Sequence, residues 1–65
     1  MKILLNGSSV DTESADLEAL VREQGIDPTS LVIEHNLSVI KQAEWPATPI
    51  REGDTIELLN FVGGG

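Results

Sequence analysis

The chain has no cysteine, no tyrosine, one tryptophan and one phenylalanine, and only four basic residues. Each shortage removes a class of chemistry. Without cysteine there are no disulfides, no thiolate metal sites and no thiol nucleophile. Four lysines and arginines against eleven acids give a formal charge of −7. Such a surface repels nucleic-acid backbones and anionic lipid, both of which attract Lys/Arg-rich proteins. No apolar run approaches the roughly 20 residues that span a bilayer. The opening Met1-Lys2-Ile3-Leu4-Leu5 is broken by Asn6-Gly7 before it can serve as a signal peptide, which points to the cytoplasm. No His/Asp cluster has the spacing of a metal site. The single histidine, His35, has no nucleophile or orienting carboxylate at a telling spacing, so it carries no catalytic assignment.

What remains is one small domain. Sixty-five residues bury only about 60% of the unfolded surface, which leaves little room for a pocket and a catalytic constellation together. The acidic surface favours partners with a basic docking face and speeds their encounter, and it also supports solubility.

The periodicities are legible in chain order. Residues 1–5 alternate as a strand, with Ile3 and Leu5 on one face and Lys2 and Leu4 on the other. Asn6-Gly7 signals a type I′ hairpin turn, with Ser8-Ser9-Val10 returning. Ser14 is the expected N-cap of a helix over Ala15–Gln24, whose Leu17, Leu20 and Val21 share a face. Asp16 and Glu18 would sit in its first turn, where the helix dipole favours anions. Gly25 has the character of a C-terminal stop and Ile26 of the apolar contact beyond it. Asp27-Pro28-Thr29 makes a turn. Leu31–His35 and Val39-Ile40 read as strands joined by Asn36-Leu37, since asparagine tolerates positive φ. An irregular stretch from Trp45 to Pro49, with Trp45 as a packing anchor, and a tight turn at Arg51–Asp54 precede a last strand from Thr55 to about Phe61.

This order predicts an α+β domain in the β-grasp arrangement. A mixed sheet of four to five strands is covered on one face by one main helix, with the first and last strands parallel neighbours. Parity assigns Ile3, Leu5, Leu17, Leu20, Val21, Leu31, Ile33, Ile56 and Leu58 to the core. It leaves Leu4, Val32, Leu59 and Phe61 on the opposite sheet face, where a contiguous apolar group reads as a docking patch. Residues 1–62 form the domain and 63–65 a flexible tail. Gly63-Gly64-Gly65 is sterically minimal and could pass through a slot too narrow for side chains. The one functional group it presents is the α-carboxylate of Gly65.

These residues resemble the ubiquitin-like sulfur carriers of the ThiS family. The resemblance rests on Ile3-x-Leu5-Asn6-Gly7, Glu44-Trp45, Gly53-Asp54-x-Ile56-Glu57-Leu58 and the terminal Phe61-Val62-Gly63-Gly64-Gly65. Two positions depart from the family pattern. Asn36 is followed by Leu37 where an Asn-Gly turn is usual, and His35 stands where an aliphatic residue is common. The resemblance implies a protein co-substrate, not an enzyme. The C-terminal Gly65 is adenylated by an E1-like enzyme that uses ATP and Mg, while the carrier itself binds no cofactor. A cysteine-persulfide donor then supplies sulfur, and the resulting thiocarboxylate serves a thiazole synthase in thiamine biosynthesis. Gly63 and Gly64 thread the tail. Leu4, Val32, Leu59, Phe61 and Val62 dock partners, and the free carrier is a monomer. Three alternatives stay open: a related carrier such as the small subunit of molybdopterin synthase, a ubiquitin-like modifier joined to lysines, and an acidic interaction module with an inert tail.

Overall fold

The computed structural model describes residues 1–60. Its strands are β1 (Lys2–Leu5), β2 (Ser8–Asp11), β3 (Leu31–His35), β4 (Ser38–Ile40) and β5 (Thr55–Asn60), with one helix, α1 (Leu17–Gln24). Short 3₁₀ turns occupy Pro28–Ser30 and Gln42–Ala47. The five strands make one sheet in the order β2-β1-β5-β3-β4. The β1–β5 pair is parallel, and β1–β2, β3–β4 and β3–β5 are antiparallel. This is the expected mixed sheet, with β5 at its centre.

Both hairpins turn on two residues at positive φ. Asn6 and Gly7 have φ of 50° and 84°, and Asn36 and Leu37 have 49° and 74°. Two positive φ values in a two-residue loop match the right-handed twist of the flanking strands.

The helix starts two residues later than Ser14 and Ala15 suggest, and its cap is Asp16. Asp16 is extended (φ −146°, ψ 174°), and its Oδ1 accepts from the Ala19 backbone N–H at 2.8 Å. The preceding residues are held by tertiary bonds. Asp16 bridges Pro49, Ile50 N–H donates to the Ala15 carbonyl, and Leu17 N–H donates to the Thr48 carbonyl. Ser14 turns away, its Oγ donating to Glu23 Oε1 at 3.0 Å. A short aspartate beside the first helical turn therefore displaces the serine. The C-terminus follows expectation. Gly25 is left-handed (φ 68°), with its N–H on the Arg22 carbonyl and the Ile26 N–H on the Val21 carbonyl, which is a Schellman closure.

All nine expected core residues are buried, and Trp45 and Ile50 join them. Leu17, Leu20, Ile33 and Ile56 are completely enclosed. Trp45 anchors the 3₁₀ turn, and its indole N–H donates to the Ile40 carbonyl at 3.0 Å, the partner a buried indole requires. Ile50 is brought in by the backbone bond to Ala15.

Candidate functional site

The core fills one face of the sheet, so the alternate residues of every strand stand on the other. Register decides which of them meet. Val32 faces Leu59 across the β3–β5 pair, and Glu34 faces Glu57. Val39 faces Glu34 from β4. Leu4 lies opposite Ser9 on one side and Thr55 on the other, and Lys2 opposite Asp11. Asn60, opposite Leu31, closes the ladder at the end where the chain runs on toward Phe61. Val32 and Leu59 therefore stand beside the point from which the tail departs.

The apolar residues of this face do not form the single patch that parity suggests. Leu4 (43% exposed) and Leu59 (47%) are accessible, and Val32 is half-buried. Leu4, however, aligns with Thr55, four residues before Leu59 on β5. That is roughly 13 Å along the strand, with Glu57 in the interval. Leu4 is thus removed from the Val32–Leu59 pair. Val39, 67% exposed, takes a place on the face that the sequence reading did not give it. Its alternation with the core-packed Ile40 was the available signal. The Glu34–Glu57 opposition is visible only once the register is known. Phe61, Val62, Gly63, Gly64 and Gly65, with the tail as a unit, lie outside the described residues.

His35 belongs to a different device. Asp54, buried at the entrance to β5, has three contacts: Oδ2 lies 2.8 Å from His35 Nε2 and accepts from the Arg51 N–H at 2.8 Å, while Oδ1 accepts from Asn36 Nδ2 at 3.0 Å. Asn36 also binds Thr55, through Oδ1 to the Thr55 N–H (2.8 Å) and through its own N–H to the Thr55 carbonyl. Burial pushes the Asp54 carboxyl up. The hydrogen bonds from Asn36, His35 and the Arg51 backbone, with the His35 charge, outweigh it and hold the carboxyl below its ordinary value. The cluster ties the β3–β4 turn to the start of β5 and holds no nucleophile.

Other chemistry finds little support. Among the described residues no group of three or more His, Asp or Glu is placed to hold a metal ion. A pocket between α1 and the 3₁₀ turns, walled by Val21, Ile26, Pro28 and Trp45, measures about 190 Å³, below the roughly 300 Å³ at which ligand pockets begin. A larger hollow of about 530 Å³ is walled by Met1, Asp11, Thr12, Glu13 and Glu23, without the predominantly apolar lining of a ligand pocket. No described helix is long and apolar enough to cross a membrane.

Comparison with known proteins places this geometry. A Thiazole synthase of Paramagnetospirillum magneticum is 32% identical over 66 residues, which cover the whole of this chain and 20% of that protein. The Sulfur carrier protein ThiS of Thermus thermophilus is 27% identical over 97% of this chain and 98% of its own length. The crystal structure of a thiamine biosynthesis protein (ThiS) from Geobacter metallireducens superposes with a TM-score of 0.84 at 26% identity, each chain fully covered. The ThiS family profile matches residues 3–65, and a match over so much of the sequence, on this fold, means that the chain belongs to the ThiS family.

Proposed function

We propose that the chain is a sulfur carrier of thiamine biosynthesis that works as a protein co-substrate, with the Gly65 carboxylate as its reacting group. The observation that carries the reading is the family match running through the terminal glycines on a fold whose last described strand is paired as far as Asn60. The five residues after Asn60 reach at most about 17 Å when extended, enough to present a carboxylate to a nucleotide site in another protein. Gly63 and Gly64 add no bulk there.

A carboxylate is a poor acyl donor until it becomes a mixed anhydride. An E1-like enzyme supplies this step, using ATP and Mg to join AMP to Gly65 with loss of pyrophosphate. The terminal sulfur of a cysteine persulfide attacks the acyl carbon and AMP leaves. A thiol then cleaves the S–S bond, and the thiocarboxylate remains. This is nucleophilic acyl substitution with an activated leaving group. The acceptor is a thiazole synthase. Supporting that partner, a segment similar to this whole chain forms 20% of a protein named thiazole synthase. The docking surface is the sheet face at the base of the tail, Val32 and Leu59 with Phe61 and Val62 following. Leu4 makes a separate contact at the far end.

Intact-mass analysis of the protein taken from cells tests the reading. The expected result is a species about 16 Da heavier, sulfur having replaced one oxygen at the acyl terminus, lost on deletion of Gly64 and Gly65. A lysine isopeptide in its place indicates a modifier, and no acyl product at all indicates an inert tail.

A further inference from the structure

The sheet face at the tail's base carries a charge arrangement that the fold itself does not resolve. Glu34 and Glu57 stand directly opposite on β3 and β5, where side chains in such positions lie about 5 Å apart at Cβ. Like charges so placed oppose the pairing of their strands. Among the described residues no cationic group comes within 4 Å of either carboxylate. The ion pairs among these residues are Lys2–Asp11, Arg22–Glu18 and His35–Asp54. Apolar surface flanks the two acids, with Val32 and Leu59 on the tail side and Val39 beside Glu34.

We propose that this face is completed by an arginine of the thiazole synthase, its guanidinium set between Glu34 and Glu57 and its aliphatic stem laid over Val32 and Leu59. The inference rests on the carrier reading and adds to it the chemistry of the partner's contact. A planar guanidinium has five N–H donors and can serve two carboxylates at once. Its methylene stem covers apolar surface while the head stays charged. The net charge of −7 steers a basic surface toward the chain, and the Glu34–Glu57 pair fixes where that surface seats. Binding replaces a repulsion within the carrier by two attractions to the partner. The same two residues therefore act in opposite directions on stability and on affinity.

The test is calorimetric titration of the carrier with thiazole synthase from the same organism, at low and high salt. The wild type is compared with Glu34→Gln/Glu57→Gln and with Leu59→Asp. The double glutamine variant is expected to lose at least about tenfold in affinity and part of the salt dependence, with a melting temperature equal to or above that of the wild type. Wild-type affinity and salt dependence in that variant overturn the inference, and so does a loss of affinity accompanied by a lowered melting temperature. If Leu59→Asp abolishes binding while the glutamine variant binds normally, the docking face stands and the arginine contact falls. If the wild type does not bind the synthase, the partner reading and this inference fall together.

Discussion

Two residues show how a single position is set against its surroundings. Asp54 is held ionised by three neighbours, and its carboxyl titrates below the ordinary value. A carboxyl depressed in the folded state contributes stability above its unfolded pKa. That stability drains away as the pH falls toward the folded value. The melting temperature should therefore drop as the pH is lowered below about 4, and less steeply in Asp54→Asn. At neutral pH the same variant should be about 1–3 kcal/mol less stable, since a charged acceptor of buried hydrogen bonds is lost. Thermal unfolding from pH 7 to 3 measures both effects, and parallel profiles for the two proteins would contradict the account. Leu37 presents the reverse case. Its φ of 74° and 87% exposure combine the steric cost of the left-handed region with almost no packing in return. Leu37→Gly should raise stability by up to about 1 kcal/mol, or about 4–8 °C. A lower melting temperature in that variant would mean that the leucine packs in some way its exposure does not reveal.

At the scale of elements, α1 is informative because two capping residues competed for it. Asp16 makes the bond to Ala19, while Ser14 bonds Glu23 on the side of the last turn. Asp16→Ala should cost about 1 kcal/mol, within the 0.5–2 kcal/mol range of lost N-caps. Ser14→Ala should cost clearly less, because its bond to Glu23 is solvent-exposed. Chemical denaturation of the two variants side by side decides the point, and equal losses would return the cap to Ser14. The hairpin at Asn6-Gly7 was readable from its dipeptide and the C-terminus of α1 from Gly25. Their geometry depends on backbone freedom at those positions alone. The helix start was not readable in this way, because the bonds that hold residues 15–17 come from Thr48, Pro49 and Ile50, more than thirty residues away.

For the whole molecule, the helix and the core lie on one side of the sheet, and β5 is paired as far as Asn60, before the proposed reacting tail begins. A β-branched side chain in the tail should therefore spare folding and stop activation. Gly64→Val is expected to unfold at the wild-type temperature and to reduce adenylation by the cognate E1-like enzyme to background. The assay is ATP- and Mg-dependent pyrophosphate release. Adenylation of Gly64→Val at the normal rate would remove the steric reason for the glycines.

Alternation along single strands determined six of the nine expected core residues, and the i, i+3, i+4 spacing of Leu17, Leu20 and Val21 on α1 the other three, because burial of one face of a strand or helix imposes that element's own period and depends on no distant partner. The tail composition and the −7 charge are likewise properties of the sequence itself. Trp45, expected as a packing anchor, entered the core from the 3₁₀ turn, and Ile50 from the segment after it, where no period marks it. The tertiary structure alone decided which exposed residues are neighbours. Leu4, Val32 and Leu59 share a face by parity, yet the parallel register of β1 with β5 sets Leu4 against Thr55, while the antiparallel register of β3 with β5 joins Val32 to Leu59 and Glu34 to Glu57. Register is a relation between segments far apart in the chain, fixed by how their buried faces interlock, and local pattern does not contain it.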